Sequence, residues 1–149
     1  MGKAIWDRQL INFPLSNVLY KHLLGLDVTL DDLQMMDTIF YKSLLWMRDH
    51  TITNIIFETF SIERREGQAQ HMVTVDLSDS GRKRDVTESN KHEYIALMVK
   101  WRTYFAIRAQ LDALLGGLSL LVPRQCLAIF TLEEFTLLLH GKPTFQVDE

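Results

Sequence analysis

The sequence predicts an α+β domain, mostly helical, with a small β-hairpin subdomain. Three observations carry that prediction. Apolar residues recur at helical spacing over most of the 149 residues. The period changes in one region, residues 54 to 77, where β-branched and aromatic residues gather. A hydrophobic fraction of 47% beside 23% charged residues suits one domain with a real core.

The elements follow in order. The start, "MGKAIW", opens directly into helix-like sequence. "PLSNVLYKHLLG" (14 to 25) puts Leu15, Val18, Leu19, His22 and Leu23 on one helical face. Pro14 suits its first turn and Gly25 its C-terminal cap. "TLDDLQ" has Thr29 and Asp32 at the spacing of a capping arrangement, which predicts a short helix. A helix from Asp37 to Asp49 comes next. Its stretch "FYKSLLWM" (40 to 47) is apolar nearly all round: Phe40, Leu44 and Met47 share one face, Tyr41 and Leu45 a second, Ile39 and Trp46 a third. A surface helix needs an apolar stripe of only ~100° or a little more. One face is therefore surplus to a single layer of packing.

"NIIFETFSI" (54 to 62) and "HMVTVDL" (71 to 77) predict two strands. Val73, Val75 and Leu77 alternate with Met72, Thr74 and Asp76, as on a half-buried strand. "ERREGQAQ", with Gly67, predicts the hairpin connection, and residues 78 to 85 a loop. An isolated hairpin is marginal in water, so it must pack on a helix. From Thr87 or Ser89 the spacing of Tyr94, Leu97, Met98, Trp101, Tyr104, Phe105 and Leu111 predicts one long helix. Gly116-Gly117 either ends it or marks a close crossing. A short helix with Cys126 follows Pro123. Last comes "TLEEFTLLLHG", with Thr131 and Glu134 as a capping box and Gly141 as the stop.

Composition and motifs narrow the function classes. Net charge is -3, and the basic runs at 64–65 and 82–84 are short, reading as solvated turns and not as a nucleic-acid groove. No apolar run approaches the ~20 residues of a transmembrane helix, so no membrane partner is expected. A single cysteine rules out an internal disulfide and fits a reducing compartment. The five histidines lack the i, i+3 or i, i+4 partner of a zinc pair, so no metal and no cofactor is expected. Neither a Gly-rich phosphate loop nor a nucleophile elbow occurs. The acid pairs Asp31-Asp32 and Glu133-Glu134 sit in first turns, where the helix dipole favours them. Cys126, in "PRQCLAIF", reads as a buried structural thiol. These residues leave two classes: a partner-binding module built on the surplus face around Phe40, or an enzyme whose site is assembled only in three dimensions.

A resemblance narrows this. "GKAIWDRQL", "NFPLSNVLYKHLLG", "VTLDDLQMMDTIFYKSLLWM", "VTESNKHEYIALMVKWR" and "LEEFTLLLHGKP" occur in that order. Together they resemble the N-terminal lobe of the HECT-type ubiquitin ligases, over essentially the whole chain. The resemblance implies a partial HECT domain over residues 1–149. Within it, roughly 30–86 would be the small subdomain that docks a ubiquitin-conjugating enzyme. The C-lobe, with its catalytic cysteine, would be absent, so no catalytic residue is expected here. In the family, ubiquitin passes from the conjugating enzyme to that cysteine and then to a substrate lysine.

By position, the resemblance implies a docking groove of Phe40, Ser43, Leu44, Met47, His50, Ile56 and Tyr94, with Ile56 on the first hairpin strand. Tyr41, Leu45 and Trp46 would hold the helix in place. The rim would be mixed in charge, with Lys42, Arg48 and Asp49. The chain departs from the family in the hairpin connection, "RREGQ", which is shorter and lacks the Phe that helps to hold a second ubiquitin. The implied partners are a conjugating enzyme, ubiquitin through the parent protein, and protein substrates, in the cytoplasm or nucleus of a eukaryotic cell. Self-association of the isolated piece is a further expectation. The competing class is a helical scaffold or substrate-binding module without affinity for conjugating enzymes.

Overall fold

A computed structural model of the chain describes residues 1–13, 15–66 and 71–141. The fold is α+β: helices and, among the described residues, one two-stranded antiparallel sheet. Contacts divide the chain into two units, Met1–Val28 with Ile107–Glu149, and Thr29–Ala106. The second takes in the expected 30–86 region and the helix after it.

The first unit holds α1 (Gly2–Trp6), α2 (Asn17–Leu24), α5 (Arg108–Ser119), α6 (Arg124–Leu127) and α7 (Leu132–His140). Ser16 caps α2 by accepting the Leu19 N–H, and Gly25 ends it at φ 77°, where a side chain would be strained. Thr131 and Glu134 close the capping box of α7 reciprocally, at 3.2 and 2.9 Å. The core is Tyr20, Leu23, Leu24, Leu118, Leu127, Phe135 and Leu139. Tyr20 also ties three segments together. Its hydroxyl accepts the Leu15 N–H and bonds the His140 imidazole, whose other nitrogen meets the Ile11 carbonyl. The place of Pro14 lies outside the described residues.

The second unit holds a 3-10 turn (Leu30–Leu33), α3 (Thr38–Asp49), β1 (Ser61–Glu66), β2 (His71–Asp76) and α4 (Lys91–Thr103). Asp32 accepts the Thr29 N–H at 2.7 Å. Asp37 caps α3 through the Phe40 N–H and pairs with Arg102 near the end of α4. Ser61↔Asp76 to Glu66↔His71 sets the hairpin register. Val73, Val75 and Leu77 are half-buried while Met72 and Thr74 are exposed, in keeping with the alternation. The core is Leu33, Leu44, Met47, Ile52, Phe60, Val86, Tyr94, Ile95 and Val99.

Several expectations are corrected. The first strand does not start at residue 54: Ile55 and Ile56 both donate to the Ile52 carbonyl in a turn, and β1 begins at Ser61. The charged residues 63–66 are thus strand and not connection, while 67–70 lie outside the described residues. Before β1, the chain pairs with a different segment. The Val86 N–H reaches the Glu58 carbonyl, and the Phe60 N–H reaches the Arg84 carbonyl. Gly81 lies against this pairing, where a Cβ would meet the Phe60 carbonyl oxygen at 2.0 Å.

The long helix from residue 87 is broken. It begins at Lys91, leaves helical geometry at Tyr104 (φ −125°, ψ −64°), and gives way to a 3-10 turn, Phe105–Ile107, before α5. Gly116-Gly117 neither stop α5 nor mark a crossing, since the helix runs on to Ser119 and a Cβ at either would meet nothing within 4 Å. Cys126 is exposed and not buried. The basic runs are also more structured than solvated turns. Arg64 and Arg65 lie on β1, Arg82 pairs with Asp76, and Arg84 pairs with Glu93 while covering the Phe60 ring at 4.0 Å.

Candidate functional site

The site is built on α3. Asp37 fixes the start of this helix, and its twelve residues lay Phe40, Leu44 and Met47 along one side. Across from them come the segment 55–59 and the start of β1, and below lie Tyr94 and Met98 of α4. Together these enclose an open groove of about 910 Å³. Phe40, Ser43, Leu44, Met47, Ile56 and Tyr94 all line it, joined by Trp46, Ile55, Phe57, Glu58 and Glu63 among others.

Several predicted roles change at this point. Leu44 and Met47 are only 3% and 6% exposed and belong to the core, so their face is not surplus to the fold. They form a floor that the groove and the core share. The outward row of α3 is instead Ile39, 82% exposed, with Ser43 and Trp46. Tyr41 and Leu45 are half-buried as holding residues would be, but Trp46 is not. Ile56 lines the groove from the turn before β1 and not from the strand.

His50 is not brought to the groove. It is exposed, and its ring stacks on Trp46 at 4.9 Å and 8°. Arg48 and Asp49 pair with each other outside the groove. The charges that do line it are Glu58 and Glu63, which sequence reasoning missed, as it missed Ile55 and Phe57. Phe57 is 84% exposed beside the opening. The run "NIIF" carried that signal, but its strand composition reads as sheet and not as groove wall.

Tyr94 anchors the floor. It is buried and meets Phe60 edge to face at 5.4 Å. Burial, with a smaller push from the Glu58 carboxylate, raises its phenol to about 12. Among the described residues no group of three or more His, Cys, Asp or Glu is placed to hold a metal. Nor, among them, is any helix long and apolar enough to cross a membrane. The groove sets the apolar side chains of Phe40, Leu44, Met47, Ile55 and Ile56 beside the polar ones of Ser43, Glu58, Thr59, Ser61 and Glu63.

Comparison with known proteins decides the family. The HECT-domain (ubiquitin-transferase) family matches residues 1–149. This chain belongs to the HECT-domain family. Over its whole length it is 38% identical to the E3 ubiquitin-protein ligase TOM1-like of Neurospora crassa. It is likewise 36% identical to the E3 ubiquitin-protein ligase TOM1 of Saccharomyces cerevisiae. It spans about 4% of the length of each. Over 95% of the chain it is 37% identical to the E3 ubiquitin-protein ligase pub1 of Schizosaccharomyces pombe, spanning 18% of that protein.

The HECT-type run "TESNKHEY" (87 to 94) has a physical account in this structure. Asn90 accepts the Thr87 N–H and donates to the Asp85 carbonyl, shaping the entry to α4. Glu88 accepts the Ile52 N–H at 3.0 Å and pairs with Lys91 at 2.5 Å. Lys91 is buried and donates to the His50 carbonyl. Glu93 takes Arg84 in a bidentate pair at 2.7 and 2.6 Å. These bonds clamp the chain on either side of residues 50–60, the wall that faces α3. In this HECT-family chain the run thus holds the groove open as well as supplying Tyr94.

Proposed function

We propose that this chain is the N-lobe portion of a HECT-type ubiquitin ligase and that it docks a ubiquitin-conjugating enzyme. The observation that carries the reading is the single groove in which Phe40, Ser43, Leu44, Met47, Ile56 and Tyr94 converge. An apolar recess with an aromatic anchor and an open rim is the pattern of a binding hot spot. Its size admits a few side chains from a partner loop, which favours a weak, rapidly reversible complex. Such a complex suits a partner that must leave once its cargo is discharged. His50 acts at one remove, by holding Trp46 at the rim.

In the reaction this docking serves, a ligase thiolate attacks the carbonyl carbon of the ubiquitin thioester. The conjugating enzyme's thiolate leaves, and a substrate lysine amine later displaces the ligase sulfur. In this reading Cys126, an exposed residue of a four-residue helix, is not the accepting cysteine. The chain by itself binds and does not catalyse.

The reading is tested by titrating the protein with a panel of conjugating enzymes and following backbone amide signals. Signals of Phe40, Ser43, Ile56 and Tyr94 are expected to move for at least one enzyme, and Phe40→Ala to remove the response while the protein stays folded. A helical scaffold without this affinity would show no movement, and Phe40→Ala would alter its stability alone.

A further inference from the structure

The groove has a feature that apolar docking alone does not require. Its charged lining residues, Glu58 in the segment before β1 and Glu63 on β1, are both acidic and both exposed. No lysine or arginine is among the described residues that line it. Neither carboxylate takes part in an ion pair among the described residues. Several cations of the same unit are paired with other acids: Arg48 with Asp49, Arg82 with Asp76, Arg84 with Glu93 and Lys91 with Glu88. The field of Glu58 also reaches the groove interior, since it contributes to the raised pKa of Tyr94. Two exposed carboxylates, without an ion pair among the described residues, therefore line the same groove as Phe40, Leu44 and Met47.

We propose that Glu58 and Glu63 select among ubiquitin-conjugating enzymes, favouring those that carry Lys or Arg beside the apolar side chain they insert into the groove. The proposal rests on the docking reading above and names the chemistry of the partner's face. A basic flank meets two exposed carboxylates and is steered toward the groove. An acidic flank brings like charges together. Complementary rim charges act mainly on encounter rate, salt dependence and rejection of wrong partners. The apolar floor then supplies most of the affinity to any enzyme that is admitted.

The test is a binding titration of the protein against conjugating enzymes ranked by the charge around their docking loop, at low and high salt. The expected result is tighter binding to the basic members, with an advantage that shrinks as salt rises. Glu58→Lys with Glu63→Lys should weaken binding of the basic members about tenfold and improve that of the acidic ones. Glu58→Gln with Glu63→Gln should fall between. Both positions are exposed, and unchanged circular dichroism and thermal midpoint establish that each variant is folded. Binding of panel members that neither variant alters in strength or salt dependence overturns the selection and leaves the docking reading standing. No binding by any member overturns the docking reading and the selection together.

Discussion

Lys91, at the start of α4, donates to the carbonyl oxygen of His50 at 2.7 Å, across 41 positions of sequence. Its ammonium is buried, and Glu88 supplies the countercharge while holding the Ile52 N–H with its second oxygen. A charge is tolerated there because the His50 carbonyl and the Glu88 carboxylate both accept from it. Lys91→Ala should cost about 1–3 kcal/mol, since it leaves the His50 carbonyl without its donor. Denaturant unfolding measures the loss. The amide signals of residues 50–56 should shift in the folded variant, because that wall has lost its clamp.

The carboxylates of this network make stability depend on pH. Glu88 is held below the usual carboxylate range by the Ile52 N–H and then by Lys91, and Glu93 by Arg84. A depressed folded pKa contributes stability that is present above the ordinary glutamate value and lost as pH falls through the lowered one. Glu93→Gln should therefore melt below the parent at neutral pH. The gap should close in acid, once Glu93 is protonated in the parent as well. Thermal midpoints across a pH series check this, and a gap independent of pH would contradict it.

Groove residues should separate into two kinds. Leu44→Ala removes a buried side chain from the core and should cost about 2–5 kcal/mol. Phe57→Ser alters an exposed one and should change stability by no more than about 0.5 kcal/mol. Unfolding midpoints distinguish them. Loss of partner binding in Leu44→Ala is uninformative without that control, whereas in Phe57→Ser it reports contact directly.

Tyr20→Phe keeps the ring that packs on Phe135 and removes the hydroxyl between the Leu15 N–H and His140. The expected cost is about 1–2 kcal/mol. Hydrogen exchange at the Leu15 amide should quicken in the variant, while Leu23, deep in the same core, stays protected.

Cys126 is exposed, so a thiol reagent should label it in the native protein about as fast as in the unfolded chain. Incubation with ubiquitin-charged conjugating enzyme should leave no adduct on it that a reducing agent releases. Mass spectrometry reads both outcomes.

What was legible in the sequence was mostly local. Thr29 with Asp32, Thr131 with Glu134, and Gly25 and Gly141 mark element ends through bonds and backbone angles spanning a few residues. Such signals do not depend on the rest of the fold. Errors came where a distant partner decides. "NIIFETFSI" has strand composition throughout, yet residues 58–60 bond to 84–86, and only from Ser61 does the chain join β2. Apolar spacing continues through Tyr104 without Gly or Pro, so nothing local announced that break. On α3, apolar on all sides, periodicity listed the faces but could not say which one the core would take. The groove residues Phe40, Ser43, Leu44, Met47, Ile56 and Tyr94 were named through family resemblance. Glu58 and Glu63 had no motif to mark them.

Leu44 and Met47 belong to the core and to the groove floor at once. Any heritable change there is judged twice, by folding and by whatever occupies the recess. Phe57, Glu58, Glu63 and Ile39 answer to few folding demands, being exposed. New partner preferences are therefore reached most easily by drift along this outer margin, with the floor held constant. A library meant to redirect the protein toward another partner should randomise those positions and leave the two shared ones untouched.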